Sequence, residues 1–457
     1  LEIQISAEPA ECTGRTKRMR LKIFTSLDYL LLLCILFLTG IGIAFIYSSG
    51  FNSDGINVSN EYIKQIIWLG VGLVLLVLVA LFDYRRLNKY SFHFFAFMLA
   101  VLIYTRFFGR LVNGARSWIG IGDFGIQPSE LTKISFILFL AKYLENSMNE
   151  EPRKRFIHSL CIMGFPVGII LLQPDLGTAS VFIPIFLFMC FMANIPVRYL
   201  MIVFLTGMFT ITFTVLPVWE TEILHESVPA IHILTNLKLR MLVSVAFLGI
   251  TTIGVLGNLF FKKKYYYWIT YFFGILSTSL FASVGAGKVL KPYQIARLIV
   301  FIDPYSDPKG SGWNIIQSQT AIGAGGLLGR GFLQGSQSHL RFLPQQSTDF
   351  IFSIFSEEMG FVGGIFMYAA FLCILLRILY VIKQTTNNYS CYIASGILGM
   401  FFFHFIVNVG MVMGIMPITG IPLPFMSYGG SALITNMIAL GLIMSINSRR
   451  LDFKSTF

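Results

Sequence analysis

The residues best placed for chemistry in this sequence are a few acidic side chains next to long apolar segments. Glu130, Asp175, Asp349, Glu357 and Glu358 lie at or near the ends of such segments, whereas most other carboxylates lie in polar tails or loops. A charged group at the edge of a membrane segment is costly, so it is usually paired or functional. The chemistry to weigh for each is therefore general-base catalysis, substrate binding or a structural ion pair.

Asp349 has two interpretations. It stands where the polar segment Gln345–Thr348 gives way to an apolar segment that starts at Phe350. In the first, it is an N-cap or first-turn acid that complements the helix dipole. In the second, it is a carboxylate among apolar neighbours, where desolvation raises its pKa and makes it a better base. The two interpretations are compatible.

Three further places carry charge beside apolar runs. Asp175 lies in the break Gln173-Pro-Asp-Leu-Gly-Thr178, where a turn acid that starts a helix is one reading. Glu130 and Lys133 are three residues apart and share a helix face, so a structural ion pair is as reasonable as a binding role. Arg116 precedes them on what we predict to be the same side of the membrane.

The elements that must position these residues are membrane-spanning helices. Of the 457 residues, 55% are apolar and only 12% are charged, against about 25% charge in a soluble globular protein. The mean hydropathy is +0.73. The net charge of +12 comes from short basic clusters between apolar runs, which favours orientation in a membrane over nucleic-acid binding. We predict an all-α, polytopic integral membrane helical bundle.

About twelve segments are long and apolar enough to span a bilayer, which takes roughly 20 residues. The predicted spans are residues 28–48, 63–82, 90–108, 131–144, 157–173, 177–193, 199–217, 241–261, 266–285, 350–380, 391–416 and 431–447.

The distribution of positive charge predicts the orientation. Short basic loops mark the cytoplasmic side. In this chain the basic clusters lie before the first span and at the ends of the second, fourth, sixth, eighth, tenth and twelfth spans. Both termini are therefore expected in the cytoplasm. The predicted organisation is a cytoplasmic tail (1–27), spans one to seven (28–217), a segment with two more spans (218–285), a large extracytoplasmic loop (286–349), three last spans (350–447) and a cytoplasmic tail (448–457).

The large loop is expected to be functional, because connections of this length are rarely simple linkers. Its glycines between Gly323 and Gly331 fit neither the dinucleotide fingerprint nor the phosphate-loop motif. We expect them to permit close backbone packing against the membrane surface.

The sequence contains few of the motifs that indicate a metal site or a catalytic nucleophile. The sequence contains no H-E-x-x-H and no G-x-S-x-G, and the six cysteines show no zinc or disulfide spacing. His93, His158 and His404 lie in or beside apolar runs. We predict that they are satisfied polar groups rather than ligands.

Several short motifs together resemble the SEDS family (shape, elongation, division and sporulation) of multi-pass peptidoglycan glycosyltransferases. They follow the family's order over most of the chain, and they are specific jointly although each is weak alone. The motifs are Gly114-Ala-Arg-Ser-Trp118, Gln127-Pro-Ser-Glu130, Gln173-Pro-Asp-Leu-Gly-Thr178, Asp303-Pro with Asp307-Pro-x-Gly310, Ser347-Thr-Asp-Phe-Ile-Phe352 with Glu357-Glu358, and Pro424-Phe-Met-Ser-Tyr-Gly-Gly-Ser431.

The chain departs from the family pattern in two places. The family usually has ten spans, so residues 218–285 look like an inserted pair. Elongation-type members, which the sequence resembles most, commonly have a histidine where this chain has Ser347. If that histidine assists proton transfer elsewhere, this protein manages without it.

The resemblance implies an inner-membrane enzyme that polymerises lipid II on the outer face, for cell elongation and rod shape, by inverting displacement of undecaprenyl pyrophosphate. Such a reaction needs one base for the acceptor hydroxyl and a cation for the pyrophosphate, but no second carboxyl acid. In the roles that the resemblance implies, Asp349 is the base, and Arg116 and Lys133 contact the pyrophosphate or the rest of the substrate. Glu130 orients Lys133. Asp175 and Glu358 position the donor or hold a divalent cation (Mg²⁺ or Mn²⁺).

The resemblance also implies a partner, a class B penicillin-binding protein with transpeptidase activity. Two alternative functions remain at the level of the sequence. A lipid-linked precursor flippase or other transporter is one, because about twelve spans also describe many carriers. A non-catalytic cell-wall scaffold is the other.

Overall fold

The computed structural model describes residues 28–51, 56–112, 115–121, 124–220, 228–289, 292–307, 310–339 and 345–449. The predicted tail 1–27 and all but the first two residues of the predicted tail 448–457 lie outside the described residues. Within them the protein is almost entirely helical. The helices are α1 (Tyr29–Ser49), α2 (Glu61–Leu81), α3 (Tyr84–Phe108), α4 (Pro128–Asn146), α5 (Pro152–Leu172), α6 (Leu176–Met192), α7 (Val197–Trp219), α8 (Pro229–Thr235), α9 (Leu237–Phe261), α10 (Lys264–Val289), α11 (Pro292–Ile302), α12 (Ser311–Gly325), α13 (Ser336–His339), α14 (Ile351–Gln384), α15 (Asn388–Val412) and α16 (Gly430–Arg449).

Ten of the described helices are long and apolar enough to cross a membrane. This confirms the prediction of a polytopic all-α membrane protein. The two other predicted spans are also helices: α4, which carries Glu130 and Lys133, and α6, which has 17 residues. The predicted pair within residues 218–285 corresponds to α9 and α10.

Polar residues begin several helices in the way their positions predict. Asp28, Asp83 and Asn236 are N-caps whose side chains accept hydrogen bonds from backbone N–H groups of the first turn. Pro128 and Pro152 are the first residues of α4 and α5. Proline is suited to this position because its missing N–H would have no partner there.

The centre of the bundle is formed by α15 and α16. In these helices 72% and 83% of the span is buried by the protein, whereas only 11% of α9 is buried. The helix pair α9–α10 lies at the edge, where it packs mainly on α7. The central helices therefore form the scaffold against which other elements pack.

Two arginines of the predicted basic clusters close helix C-termini at one end of the bundle. Arg155 donates to the carbonyl oxygens of Leu144 (2.5 Å) and Ala193 (2.6 Å), at the ends of α4 and α6. Arg449 donates to the carbonyl oxygen of Ala80 (3.1 Å), at the end of α2. Cations at helix C-termini complement the helix dipole. This end of the bundle is called the basic end below.

A three-stranded antiparallel sheet follows α3. Strands β1 (Arg110–Val112), β2 (Ala115–Ile121) and β3 (Phe124–Ile126) pair in chain order, with Arg110 opposite Trp118 and Ile119 opposite Ile126. Because α3 starts at the basic end, the sheet lies at the opposite end of the bundle and leads directly into α4.

The glycine-rich part of the predicted loop does pack closely, and its partner within the protein is α14. The N–H groups of Arg330 and Gly331 donate to the carbonyl oxygens of Glu357 and Glu358, both at 3.0 Å. These carbonyls accept from the glycine-rich segment because α14 is kinked at Gly360, which has φ of 65°, so the N–H groups of Phe361 and Val362 donate to Gly326 and Leu327 instead. A side chain at Gly360 would collide with the backbone of Leu327 and Gly329.

Candidate active site

A cavity of about 1460 Å³ opens at the end of the bundle opposite the basic end. Several helices begin there, so their N-terminal residues face it. Its polar centre is lined by Glu130, Asp175, Arg297 and the segment Gln345–Asp349. Glu130 and Asp175 lie at the N-termini of α4 and α6, the two helices whose C-terminal carbonyls accept from Arg155.

Asp349 lies in the turn that precedes α14. The turn is fixed from two sides: the side-chain amide of Asn408 in α15 donates to the Asp349 carbonyl oxygen (3.1 Å), and the Tyr428 N–H donates to the carbonyl oxygen of Ser347 (2.8 Å). Its carboxyl group therefore points from an anchored backbone into the cavity. Ser347 lines the same cavity.

Burial raises the pKa of the Asp349 carboxyl above its ordinary value, and the Arg297 guanidinium and the Thr348 hydroxyl oppose this only in part. Desolvation disfavours the charged form of a carboxyl, so its proton affinity increases. A half-buried carboxylate of this kind is a stronger base than a solvated one, as the second interpretation of the sequence predicts.

Arg297 and Asp349 converge on one point. Gly420 has φ of 71°, and a Cβ atom built on it would lie 3.5 Å from Asp349 Oδ2 and 3.8 Å from Arg297 Nη1. The glycine thus leaves a space that the Asp349 carboxyl and the Arg297 guanidinium both face. Arg297 lies on α11, where its guanidinium is over the ring of Tyr293, 5.7 Å from the ring centre.

Asp175 is the N-cap of α6. Its carboxylate accepts hydrogen bonds from the N–H (3.0 Å) and hydroxyl (2.8 Å) of Thr178 and from Gln127 Nε2 (2.7 Å). Burial raises the pKa of this carboxyl, the hydrogen bonds from Thr178 lower it, and Glu130 nearby raises it further. The structural reading of Asp175 as a turn acid is thus confirmed, and the residue also lines the cavity.

Glu130 and Lys133 form the expected ion pair on one face of α4, with 2.8 Å between Glu130 Oε2 and Lys133 Nζ. Lys133 is also 3.2 Å from His404 Nε2, and His404 Nδ1 is 2.8 Å from the carbonyl oxygen of Met400. All three side chains are buried. Only Glu130 reaches the cavity surface, and Lys133 contacts it from behind the cavity wall.

The structure does not bring Arg116 and Glu358 to the cavity lining. Arg116 is exposed on β2, although its neighbours Ala115 and Ser117 do line the cavity. Glu358 is buried in α14, where it accepts hydrogen bonds from the Ser48 hydroxyl (2.5 Å) and the Leu333 N–H (2.8 Å). Asp175 and Glu358 therefore do not share a site in this structure.

Among the residues that the structure describes, no group of three or more His, Cys, Asp or Glu side chains is placed to hold a metal ion. The cavity carboxylate of Asp175 already accepts three hydrogen bonds from protein groups. A resident metal centre is thus a poor fit to these residues.

Sequence reasoning missed Arg297. It lay in a segment read only as an extracytoplasmic loop, whereas the structure shows a helix from Pro292 to Ile302. A signal was present: Tyr293, Gln294 and Arg297 recur at helical spacing, so they share one face of a helix whose other positions are mostly apolar.

The fold and the cavity together define a polytopic helical membrane protein in which an acidic and a basic side chain face one pocket at the end of the bundle. The chain belongs to the cell cycle protein family of FtsW, RodA and SpoVE, whose model matches residues 28–226 and 230–451.

Individual relatives are similar over most of their length. Peptidoglycan glycosyltransferase RodA of Treponema pallidum (strain Nichols) is 53% identical over 433 residues, which cover 95% of this chain and 100% of that protein. Peptidoglycan glycosyltransferase MrdB of Escherichia coli (strain K12) is 30% identical over 387 residues, 85% of each chain.

Solved structures show the same fold. A chain from a peptidoglycan synthase complex superposes with a TM-score of 0.66 and 25% identity, over 93% of this chain and 98% of that one. Rod shape determining protein RodA of Thermus thermophilus superposes with a TM-score of 0.58 and 23% identity, over 93% and 97%.

Proposed function

We propose that this protein is a peptidoglycan glycosyltransferase that polymerises lipid II into glycan strands, with a role in cell elongation and rod shape. The observation that carries the proposal is the convergence of Asp349 and Arg297 on one open point of a large cavity. A carboxylate base and a fixed cation are the two groups that displacement of a pyrophosphate by a sugar hydroxyl requires. The full-length similarity to a peptidoglycan glycosyltransferase supports this chemistry.

The cavity is proposed to open on the outer face of the cytoplasmic membrane. Its carboxylates lie at the N-termini of α4 and α6, whereas the C-termini of the same helices are closed by Arg155 of a basic cluster. Basic clusters mark the cytoplasmic side of membrane proteins. The opposite end, with the cavity, then meets the outer aqueous phase, and both termini are cytoplasmic.

In the proposed reaction, the Asp349 carboxylate takes the proton of the acceptor hydroxyl as the hydroxyl oxygen bonds to the anomeric carbon of the donor sugar. The bond between that carbon and the pyrophosphate oxygen breaks at the same time, and undecaprenyl pyrophosphate leaves with the electron pair. The configuration at the anomeric carbon is inverted. The Arg297 guanidinium, with several donors in a fixed plane, is suited to the charge that develops on the pyrophosphate.

The remaining predicted residues receive different roles. Asp175 is proposed to fix the start of α6 and Gln127 beside the donor, because it already binds both. Lys133 is proposed to orient Glu130 from behind the cavity wall rather than to touch substrate. Arg116 is proposed to contact only the part of the substrate that extends beyond the cavity. Glu358 is proposed to hold the segment that contains Leu333.

Any requirement for Mg²⁺ or Mn²⁺ is proposed to arise from the substrate. Mg²⁺ commonly binds through substrate phosphate oxygens and one or two carboxylates, and it keeps several waters. The pyrophosphate of lipid II would supply the main ligands in that arrangement, since Asp175 already accepts three hydrogen bonds and Glu130 is paired with Lys133.

A class B penicillin-binding protein with transpeptidase activity is the proposed partner. A chain of a peptidoglycan synthase complex shares this fold over 93% of the present chain, and coordination of polymerization and crosslinking is described for that complex.

The test is an assay of purified protein with lipid II that scores two products separately, glycan strands on a gel and lipid II moved across a vesicle bilayer. We expect strands, and we expect Asp349→Ala to abolish them while Glu150→Gln, an exposed acid at the basic end, leaves them unchanged.

The same assay decides between the alternatives. Translocation without strands would replace the proposed enzyme by a flippase. If protein that still binds the transpeptidase makes neither product, the alternative that remains is a non-catalytic scaffold. Strands undiminished by Asp349→Ala would remove the assignment of the base.

A further inference from the structure

The cavity has a second region that the proposed reaction does not use. From its polar centre it extends between four helices, α5, α6, α7 and α10. We call this region the apolar arm; its side chains are mostly aliphatic or small, and include Val167, Leu171, Ile183, Ile211, Ala282 and Ala286. Among the described residues that line the arm, none is charged beyond Asp175 at its inner end.

The hydroxyl groups of the arm have no hydrogen left to donate to a polar ligand, although their oxygens can still accept. The hydroxyls of Ser180, Thr210 and Thr214 each donate to a carbonyl oxygen of their own helix, at 2.6, 2.7 and 2.7 Å. These residues therefore offer mainly methyl and methylene groups to the cavity. A sugar or phosphate placed here would lose hydrogen bonds to water without replacement, which is costly.

One wall of the arm comes from the helix pair at the edge of the bundle. Ala282 and Ala286 are four residues apart, so they lie on the same face of α10. Their small side chains leave room between α10 and α7, where a larger residue would fill the space.

The position of this wall is fixed by contacts with α7. The Tyr271 hydroxyl of α10 donates to the Arg198 carbonyl oxygen (2.9 Å), and the Ser279 hydroxyl lies 3.4 Å from the Thr206 carbonyl oxygen. In α9, Arg240 donates to the Phe213 carbonyl oxygen (3.4 Å). The helix pair is thus attached to α7 along its length rather than loosely associated.

We propose that the apolar arm binds the polyprenyl chain of one of the two lipid-linked substrates, with α10 as its outer wall. This inference rests on the proposed function and names a binding site for one part of its substrate. The arm is continuous with the space that Asp349 and Arg297 face, so a pyrophosphate there would direct its chain into the arm. A hydrocarbon chain is the part of lipid II that gains free energy from such walls.

The experiment compares chain lengths. Lipid II and an analogue with a much shorter prenyl chain are polymerised by wild type and by Ala282→Trp and Ala286→Trp, and KM and kcat are measured for each. The larger side chains occupy the arm, so KM for full-length lipid II should rise about tenfold, the equivalent of losing two or so buried methylene groups. KM for the short analogue should change less than about twofold.

The matched control is Leu242→Trp. Leu242 is 66% exposed on α9, close to Arg240, which contacts Ser283 of α10, so it lies at a similar depth but outside the cavity. It should leave both KM values unchanged. Equal effects of Ala282→Trp on the two substrates, or none, would overturn the inference while wild-type polymerisation still upholds the proposed function.

A second measurement does not depend on the stability of the tryptophan variants. A photo-crosslinking residue at Ala282 should capture radiolabelled lipid II through its prenyl chain, and the same residue at Leu242 should not. Equal capture at the two positions would mean that the arm is ordinary lipid-facing surface. If wild type makes no strands, the proposed function fails first.

Discussion

Two groups of carboxylates near the start of α14 have the same chemistry and opposite surroundings. Asp349 lies in a turn and faces an open cavity with Arg297. Glu357 and Glu358, about two helical turns later, are buried and accept hydrogen bonds from protein groups: Glu357 from the Gln337 N–H (2.9 Å), and Glu358 from Ser48 and the Leu333 N–H. The comparison shows that the oxygens of Glu357 and Glu358 are used to hold the chain, whereas the Asp349 carboxyl faces the cavity, where a ligand can reach it.

This difference also assigns a structural task to the glycine-rich segment. Because Gly360 interrupts α14, the carbonyl oxygens of Glu357 and Glu358 bind the backbone of residues 330 and 331, while their side chains bind residues 333 and 337. The two glutamates thus hold one segment through backbone and side chain together. The substitutions below test whether catalysis and stability separate along this line.

The largest effect is expected for Asp349→Asn. The amide keeps the size of the side chain but cannot take a proton from the acceptor hydroxyl, so the rate of strand formation should fall about 10²- to 10⁴-fold. The thermal unfolding midpoint should stay near that of wild type, because the backbone anchors of the turn remain. Strand formation by gel and unfolding by intrinsic fluorescence provide the two readouts. A large loss of stability would mean that Asp349, like Glu357 and Glu358, serves to hold the chain.

Arg297→Gln should have the next largest effect on rate. Loss of the guanidinium removes the fixed positive charge opposite Asp349, so kcat should fall about tenfold to a hundredfold. Arg297→Lys, which keeps the charge but not the planar donors, should lie between. Steady-state kinetics with lipid II measures both, and full activity of Arg297→Gln would exclude a role at the pyrophosphate.

Glu358→Ala is expected to reverse the pattern of Asp349→Asn. It leaves the buried Ser48 hydroxyl and the half-buried Leu333 N–H without their acceptor, and a fully buried unsatisfied group costs about 1–3 kcal/mol. The unfolding midpoint should fall, and strand formation per folded molecule should change little. Lost activity with an unchanged unfolding midpoint would support the earlier prediction that Glu358 positions the substrate.

The pH dependence of strand formation tests the raised pKa of Asp349. A base works when deprotonated, so activity is present above its pKa and lost as pH falls through it. Burial raises this pKa, so the acid limb should lie above the value of about 3.9 for a solvated aspartate. Arg297 opposes that rise, so Arg297→Gln should move the limb to higher pH. A shift to lower pH would contradict the assignment.

The smallest effect is expected at His404. If its Nδ1–H donates to the Met400 carbonyl oxygen, Nε2 accepts from Lys133, which in turn holds Glu130. His404→Leu should lower kcat several-fold by freeing Lys133, and His404→Gln, which keeps an acceptor, should recover part of it. His93→Leu, an exposed histidine, is the control. Equal losses in the Leu and Gln variants would indicate packing alone.

Much of the fold could be predicted because membrane helices are specified locally. An unbroken apolar run must satisfy its backbone hydrogen bonds within itself, so length and composition identify a span without knowledge of its neighbours. The N-cap role of Asp175 and the ion pair of Glu130 with Lys133 were predictable for the same reason, since both interactions join residues within one turn of each other.

Long-range placement decided the rest. Arg297 and Asp349 are separated by α12, α13, a glycine-rich segment and residues outside the described ranges, and only packing brings them to one point beside Gly420. Glu358 was predicted to position substrate, but its direction depends on a kink in α14 and on Ser48 of α1. Local sequence contains neither fact.

The sequence by itself thus determined that this protein lies in a membrane and where its helices are, because apolar length and local polar contacts are properties of neighbouring residues. Its candidate base followed from a family resemblance. The tertiary structure alone decided which charged groups face the cavity, which are consumed in holding the chain, and where an apolar arm joins them. Those outcomes depend on the directions of side chains from helices far apart in the chain, which only the packed bundle fixes.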